Sequence, residues 1–371
     1  MDTIELFCGA GGGAMAHAHL LGHTPVAAAE WGDYQQKVLK ARMADGSLPK
    51  MRLHRDVRDI DGTAYRGIDC VSGGFPCTDI SAAGGGIGID GVASGMVWEM
   101  LRIVNESAAR YVFAENSPRL RLKGLNRVVA RLALSGYGRI AWGVISARDV
   151  GAPHIRERMW LLAEREPGQR VVDLPVDMPR DGMLLDGQLV RGTSWLPKAK
   201  GPAMPTLIAG DAKAAGNRKE ANLWSLSDML GITAKAAKMG ITLPTLAATD
   251  WKSPYGTAGL LKQLAKRSKP LRDILPLLEG GKKISPEWAE WYMGWPPGWT
   301  DLNGSPSVRG WAKQTKAGHW WTDRVEASVL PRTMPTSTGL PNIGQRIHAL
   351  GNGQVPLAAA TAFTLLKEAL Q

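Results

Sequence analysis

Over roughly its first 165 residues the chain alternates short apolar runs with stretches of helical periodicity. That is the rhythm of an α/β sheet in which strands are followed by helices and run mostly parallel. TIELF predicts a strand running into the glycines of CGAGGG, and the apolar spacing that follows predicts a helix over Ala14–Leu21. PVAAAE predicts a second strand and the next pattern a helix over Tyr34–Ala44. IDCVSGG reads as a buried strand ending at Pro76 and Cys77, and ARYVFAEN as another ending at Glu115 and Asn116. RIAWGVISA and RMWLLAE complete the series. Polar and reactive residues thus gather where strands end, which is where open α/β sheets hold their ligands.

From about Glu166 the periodicity fades and prolines, glycines and basic residues rise. Within this region PTLIAGDAK (205–213) and PTLAATDWK (244–252) share P-T-L-x-A-x-D-x-K, and each is followed by L-x-D-[MI]-L. Two copies do not make a solenoid; they predict a duplicated unit with connecting loops of different length. The C-terminal stretch IHALGNGQVPLAAATAFTLLKEALQ predicts a tight Gly-Asn-Gly turn leading into an amphipathic helix. The division expected from these shifts is 1–165, 166–282, 283–345 and 346–371: an α/β domain, a smaller irregular domain, a connecting segment, and a segment returning to the first domain.

Composition sharpens this picture. The 371 residues carry a net charge of +11. Between Lys198 and Lys283 there are 15 basic and 6 acidic residues, so this span holds nine of the eleven excess charges. Together with Trp224 and Trp251 in the same span, that concentration points to a nucleic acid. Three cysteines (Cys8, Cys70, Cys77) without paired spacing argue against a disulfide framework or a zinc site. His17 and His19 lie two apart on a predicted helix and so on different faces, and no metal is expected. No apolar run approaches the ~18 residues a membrane helix needs, and a cytoplasmic, nucleoid-associated monomer is expected.

Candidate chemistry lies at the strand ends. A strand entering CGAGGG lets backbone N–H groups approach a ligand closely. The pattern lacks the lysine of a phosphate loop. Glu30 at the tip of the second strand suits ribose hydroxyls, Trp31 could stack on a base, and Asp56 in HRDVRD supplies a third polar tip. Together they suggest a purine-nucleoside site. Cys77 follows Pro76 at a strand end, and its thiolate is a strong nucleophile; Glu115 at a neighbouring strand end offers an acid partner. Arg156 and Arg158, two apart at the start of a strand, are expected to face one side.

In this order the motifs resemble those of the DNA (cytosine-5)-methyltransferases. ELFCGAGGG, AEWGDYQQ and RDVRDI resemble the cofactor motifs, GGFPCTDIS the Pro-Cys nucleophile motif and FAENS the Glu-Asn motif. GAPHIRERMWLLA resembles the Gln-x-Arg-x-Arg motif, ALGNGQVP the last motif, and SPEWAEWYMGWPPGWT the segment after the recognition region. The resemblance implies a Rossmann-like, S-adenosylmethionine-dependent methyltransferase domain acting on double-stranded DNA. It implies that Phe7, Gly9, Gly11, Glu30, Trp31, Asp56, Val57, Pro76 and Asn352 bind the cofactor. Cys77 would add to carbon 6 of an extruded cytosine, with Glu115 at N3 and Arg156 and Arg158 assisting. The glycine-rich SAAGGGIGIDG after Cys77 would admit the base and close over it. A restriction nuclease partner is compatible with the resemblance but not identified by it.

Three positions depart from the family pattern: Thr78 stands after the nucleophile, His154 before the arginines and Ser117 after Glu-Asn. They leave open transfer of a modified group from a cofactor analogue. Methylation of tRNA and a non-catalytic role as a DNA-binding decoy stay open as well. The basic recognition span weighs against tRNA, and the joint presence of Cys77, Glu115 and Arg158 against the decoy.

Overall fold

A computed structural model describes residues 1–76, 95–152, 154–165, 182–185, 188–190, 286–321 and 341–371. Cys77, Thr78 and the glycine-rich stretch after them, both copies of the repeat, and most of the expected recognition domain lie outside the described residues.

The strands β1 (Asp2–Leu6), β2 (Thr24–Ala29), β3 (Arg52–His54), β4 (Cys70–Gly74), β5 (Tyr111–Asn116), β6 (Tyr137–Ser146) and β7 (Glu157–Arg165) form one sheet in the order β3-β2-β1-β4-β5-β7-β6. The sheet is extended beyond β6 by β8 (Gly182–Leu185) and β9 (Gln188–Val190). Pairings from β3 through β5 are parallel, whereas β7 is antiparallel to both neighbours. This is a mostly parallel, Rossmann-like sheet. Strand order turns back between β1 and β4, so the crevice beyond their carboxyl ends is the topological switch point.

Helices cover both faces. On one, α3 (Met96–Ser107) and α4 (Leu125–Leu134) present Val97, Met100, Leu101 and Val104, and Leu125, Val128, Val129 and Leu132. Each set follows the i, i+3, i+4, i+7 spacing that gives a helix one apolar stripe. On the other face, α8 (Pro356–Ala369) buries Ala359, Ala362, Phe363 and Leu366 with the same spacing. Phe363 meets Phe113 of β5 edge to face at 5.2 Å.

The expected first helix is broken in two. The α-turn α1 (Gly12–Met15) is continued by a π-helical stretch over Ala16–Leu21. The wider turn carries His17, which is buried and bonded to Ser72 of β4 and His23 rather than to solvent. Helix α2 (Asp33–Ala44) lies where expected.

Residues 286–321 join the same core from far along the chain. They contain α5 (Pro286–Tyr292) and α6 (Val308–Lys316) and bury Trp291, Trp295, Trp299, Trp311 and Trp320. Two buried arginines clasp the turn that follows α5. Arg42 of α2 donates to the carbonyls of Gly298, Trp299, Asp301 and Gly304. Arg346 of α7 (Ile343–Asn352) pairs with Glu287, Glu290 and Asp301. Glu290 also accepts from the backbone N–H of Gly298 and from the N–H and hydroxyl of Thr300, so its charge is fully satisfied. Among the described residues, no helix is long and apolar enough to cross a membrane.

Candidate active site

The turn after β1 requires left-handed backbone at alternate residues: Phe7 at φ 54°, Gly9 at 57° and Gly11 at 99°. Glycine accepts this freely, but Phe7 does so at a cost of about 1–3 kcal/mol, the kind of strain that collects at functional sites. A methyl group added to Gly9 would meet nothing within 4 Å, so the turn faces open space. Glu30 holds it from the tip of β2, accepting from Gly9 N and Gly32 N at 2.7 Å each. Burial raises the Glu30 pKa, and these N–H groups oppose the shift. Burial raises the Cys8 thiol well above its ordinary range, with Glu5 and Glu30 adding to the effect, so Cys8 is an inert neighbour.

Beside Glu30, the Trp31 indole is 62% exposed, with the Arg55 guanidinium 5.3 Å over its ring. Asp56 accepts from the Arg58 backbone and pairs with its guanidinium at 2.6 Å, which lowers its pKa. Val57 is buried beneath, Phe7 and Pro76 are half-buried, and Asn352 is exposed.

Across the switch point, β5 sets Glu115 opposite Gly74 of β4. Arg158, near the start of β7, donates Nε to Glu115 Oε1 at 2.8 Å. Asn116 is buried and donates Nδ2 to the carbonyl of Phe75 at 3.0 Å, fixing the backbone where the described chain stops at Pro76. Ser117 has its own local task, accepting from Arg119 N to cap a short 3-10 turn.

Two residues of the expected arginine motif are placed differently from expectation. Arg156 precedes β7 with φ 24°, so strand alternation does not reach it and it does not share a partner with Arg158. Its buried guanidinium donates instead to the carbonyls of Gly351 and Gly353, at 3.0 and 2.7 Å. Arg156 therefore positions the loop after α7 and is not brought to Glu115. His154 is fully buried, bonds the Tyr292 carbonyl at 3.0 Å and lies against that ring. Burial, reinforced by Arg156, lowers its pKa to about 3.

The cavity between the two halves is lined by residues from several stretches of the chain, including Glu5, Gly9, Gly13, Ser72, Gly74, Glu115, Asn352 and Gln354. Sequence patterning does not single out Glu5, Ser72 or Gln354. Nor does it show that Trp299 Nε1 donates to Ala10 O and Trp295 Nε1 to Gln354 O, tying both loops to the Trp-rich segment. The tryptophans themselves are visible in PEWAEWYMGWPPGWT, but the partner of Trp299 lies 289 residues away.

The donor set can be tested against the implied cofactor. Carboxylates at Glu5, Glu30, Asp56 and Glu115, an exposed indole and an open glycine turn would repel a diphosphate. They suit a nucleoside bearing hydroxyls and positive charge, which is the chemistry of S-adenosylmethionine. Sheet and switch point together define a Rossmann-like fold with a carboxylate-lined cavity at its switch point.

Residues 1–180 match the model of the family described as C-5 cytosine-specific DNA methylase. The chain is 34% identical over 177 residues to Type II methyltransferase M.CviJI of Paramecium bursaria Chlorella virus IL3A, covering 46% of each. It is 33% identical over 171 residues to Type II methyltransferase M2.BsuMI of Bacillus subtilis, covering 44% of this chain and 42% of that one. The chain thus matches under half the length of these relatives. Among solved structures, Entamoeba histolytica methyltransferase EhMeth superposes with a TM-score of 0.51 at 13% identity, covering 100% of this chain and 99% of that one. The S. pombe Dnmt2 methyltransferase does so with 0.51 at 12%, with the same coverage. Identities this low speak to the fold alone.

Proposed function

We propose that the protein methylates carbon 5 of cytosine in double-stranded DNA, using S-adenosylmethionine. The observation that carries this reading is a pair of bonds at the end of β5, Arg158 to Glu115 and, from the next residue, Asn116 to the Phe75 carbonyl. Together they present a carboxyl at the switch point and fix the backbone leading to Cys77.

Carbon 5 of cytosine is a weak nucleophile. Addition of the Cys77 thiolate to carbon 6 breaks the ring's aromaticity and puts an electron pair on carbon 5. Glu115, held by Arg158, donates a proton to N3 and so neutralises the negative charge developing there, and recovers it when the ring is restored. The cofactor, when bound, supplies an electrophilic methyl on a sulfonium, which leaves as a neutral thioether. Loss of the carbon 5 proton to a base and expulsion of the thiolate restore the ring and the enzyme. On this chain Gly9, Glu30, Trp31 and Asp56 hold the nucleoside part, and Asn116 orients the strand end that carries the nucleophile. The target base must leave the helix stack at a cost of a few kcal/mol, which the glycine-rich stretch after Cys77 would help offset by closing over it. Residues 166–282 supply phosphate and base contacts, each repeat presenting one loop.

Trapping tests the reading. An oligonucleotide with 5-fluorocytosine cannot lose its carbon 5 substituent. It should form a covalent adduct with the wild type only when S-adenosylmethionine is present. Cys77→Ser should form none, and Glu115→Gln should form it at least about a hundredfold more slowly, as loss of a charge-stabilising group requires. An adduct formed by Cys77→Ser would defeat the mechanism.

A further inference from the structure

The loop after α7 is held more firmly than an exposed turn requires. Arg156 takes the carbonyls of Gly351 and Gly353, and Trp295 takes that of Gln354. A methyl group added to Gly353 would lie 2.5 Å from Trp295, and one on Gly12 would lie 2.8 Å from both Trp295 and Gln354 O. The backbone of Gln354 is therefore fixed, and its half-buried side chain is aimed by that backbone into the cavity at the switch point.

The amide reaches both sides of that cavity. A methyl group on Gly13, in the first turn of α1, would lie 2.8 Å from Gln354 Oε1 and 3.3 Å from Glu5 Oε2. A methyl group on Gly74, at the end of β4, would lie 3.1 Å from Gln354 Nε2 and 2.5 Å from Glu115 Oε2. One side-chain amide thus lies near both the first turn of α1 and the strand end that faces the carboxyl of Glu115. Among the described residues the amide has no hydrogen-bond partner, so neither end is committed to the scaffold. Its carbonyl end, partly negative, lies on the side of the glycine turn, where a cationic donor suits the acidic lining.

We infer that Gln354 determines the size of the group this protein transfers, by filling the passage between the cofactor half and the base half of the cavity. This rests on the methyltransferase reading above and deepens it. A sulfonium bearing only a methyl fits beside the amide, whereas one bearing a longer chain meets it. Asn352, two residues earlier, is exposed, and the fixed side chain in the passage is that of Gln354.

The test measures binding by calorimetry, without DNA and without turnover. The probes are S-adenosylhomocysteine, S-adenosylmethionine and the S-allyl analogue, each against the wild type, Gln354→Ala and Gln354→Asn. The wild type should bind the allyl analogue at least about tenfold more weakly than S-adenosylmethionine. Gln354→Ala should narrow that gap to within about threefold, and Gln354→Asn, which keeps an amide on a shorter stem, should fall between. Affinity for S-adenosylhomocysteine, which has no transferable group, should change less than about twofold in either variant. A gap unchanged in both variants, or no gap in the wild type, overturns the inference while the methyltransferase reading stands. A wild type that binds neither S-adenosylmethionine nor S-adenosylhomocysteine overturns both.

Discussion

His154 stands where a positive charge would find no water. Its Nε2–H donates to the Tyr292 carbonyl, and among the described residues its buried Nδ1 has no partner. An ordinary histidine in the unfolded chain takes up a proton near pH 6.5, but the folded protein resists this down to about 3. Between those limits the unfolded chain holds the extra proton, so stability is full above the upper limit and falls as pH drops toward the lower one. From pH 7 to pH 5 this group alone removes about 2 kcal/mol. His154→Gln keeps a donor for Tyr292 and cannot titrate. Urea unfolding at the two pH values should show the wild type losing about 2 kcal/mol more than the variant. Equal losses would mean that the imidazole is not held neutral. His17 is also lowered by burial, but it is common to both proteins and cancels in the comparison. The same residue shows what sequence could not supply. Glu30, Glu115 and Arg158 were legible because each sits at a strand end, where period-two patterning stops and a polar tip begins. For His154 the sequence offered a motif position but no direction, and for Arg156 strand alternation offered a direction that the chain, at φ 24°, does not take. Their partners, Tyr292 and Gly353, are brought to them by chain folded from far away.

Elements were legible in proportion to how local their causes are. Strands β1, β2, β4, β5, β6 and β7 and helix α2 follow from apolar runs and helical spacing within a few residues, whereas β3, the three residues Arg52–His54 with no apolar run, does not. The π-helical continuation of α1 does not, because its cause is the burial of His17 against Ser72 of β4, 55 residues away. The Trp-rich segment is the extreme case. Its tryptophans are spaced for local turns, yet Trp299 donates to Ala10 at 2.7 Å across 289 residues. That bond makes the glycine turn depend on α5 and its following loop. Trp299→Phe keeps the ring's bulk and removes the N–H, leaving the buried Ala10 carbonyl unpaired at a cost of about 1–3 kcal/mol. A lowered melting temperature should come with weaker S-adenosylmethionine binding, because the turn proposed to hold the nucleoside loses a fixed point. Loss of stability with cofactor affinity unchanged would show that the turn keeps its shape without the tryptophan.

At the scale of the whole chain, charge is sorted by sign. The cavity at the switch point is lined by Glu5 and Glu115, whereas residues 198–283 carry nine of the eleven net positive charges. An acidic cavity holds a cationic cofactor but pushes phosphates away. On the proposed reading, a DNA-modifying enzyme built this way must take its grip on the backbone from another part of the chain, leaving only the extruded base to reach the carboxyl. Grip of that kind depends on released counterions, so affinity falls with salt by a slope of about 0.9 per neutralised phosphate. Lys213 and Lys252 occupy equivalent places in the two copies of P-T-L-x-A-x-D-x-K. If each copy meets the backbone once, replacing either lysine with alanine should lower the slope of log affinity against log salt by about 1. Replacing both should lower it by about 2. Fluorescence anisotropy over a salt series measures the slope, and S-adenosylmethionine affinity, which the proposed reading assigns to the switch point, should not move. Slopes unchanged in all three variants would remove the repeats from the DNA interface. A slope that falls for only one of the two lysines would mean that the copies have diverged in task.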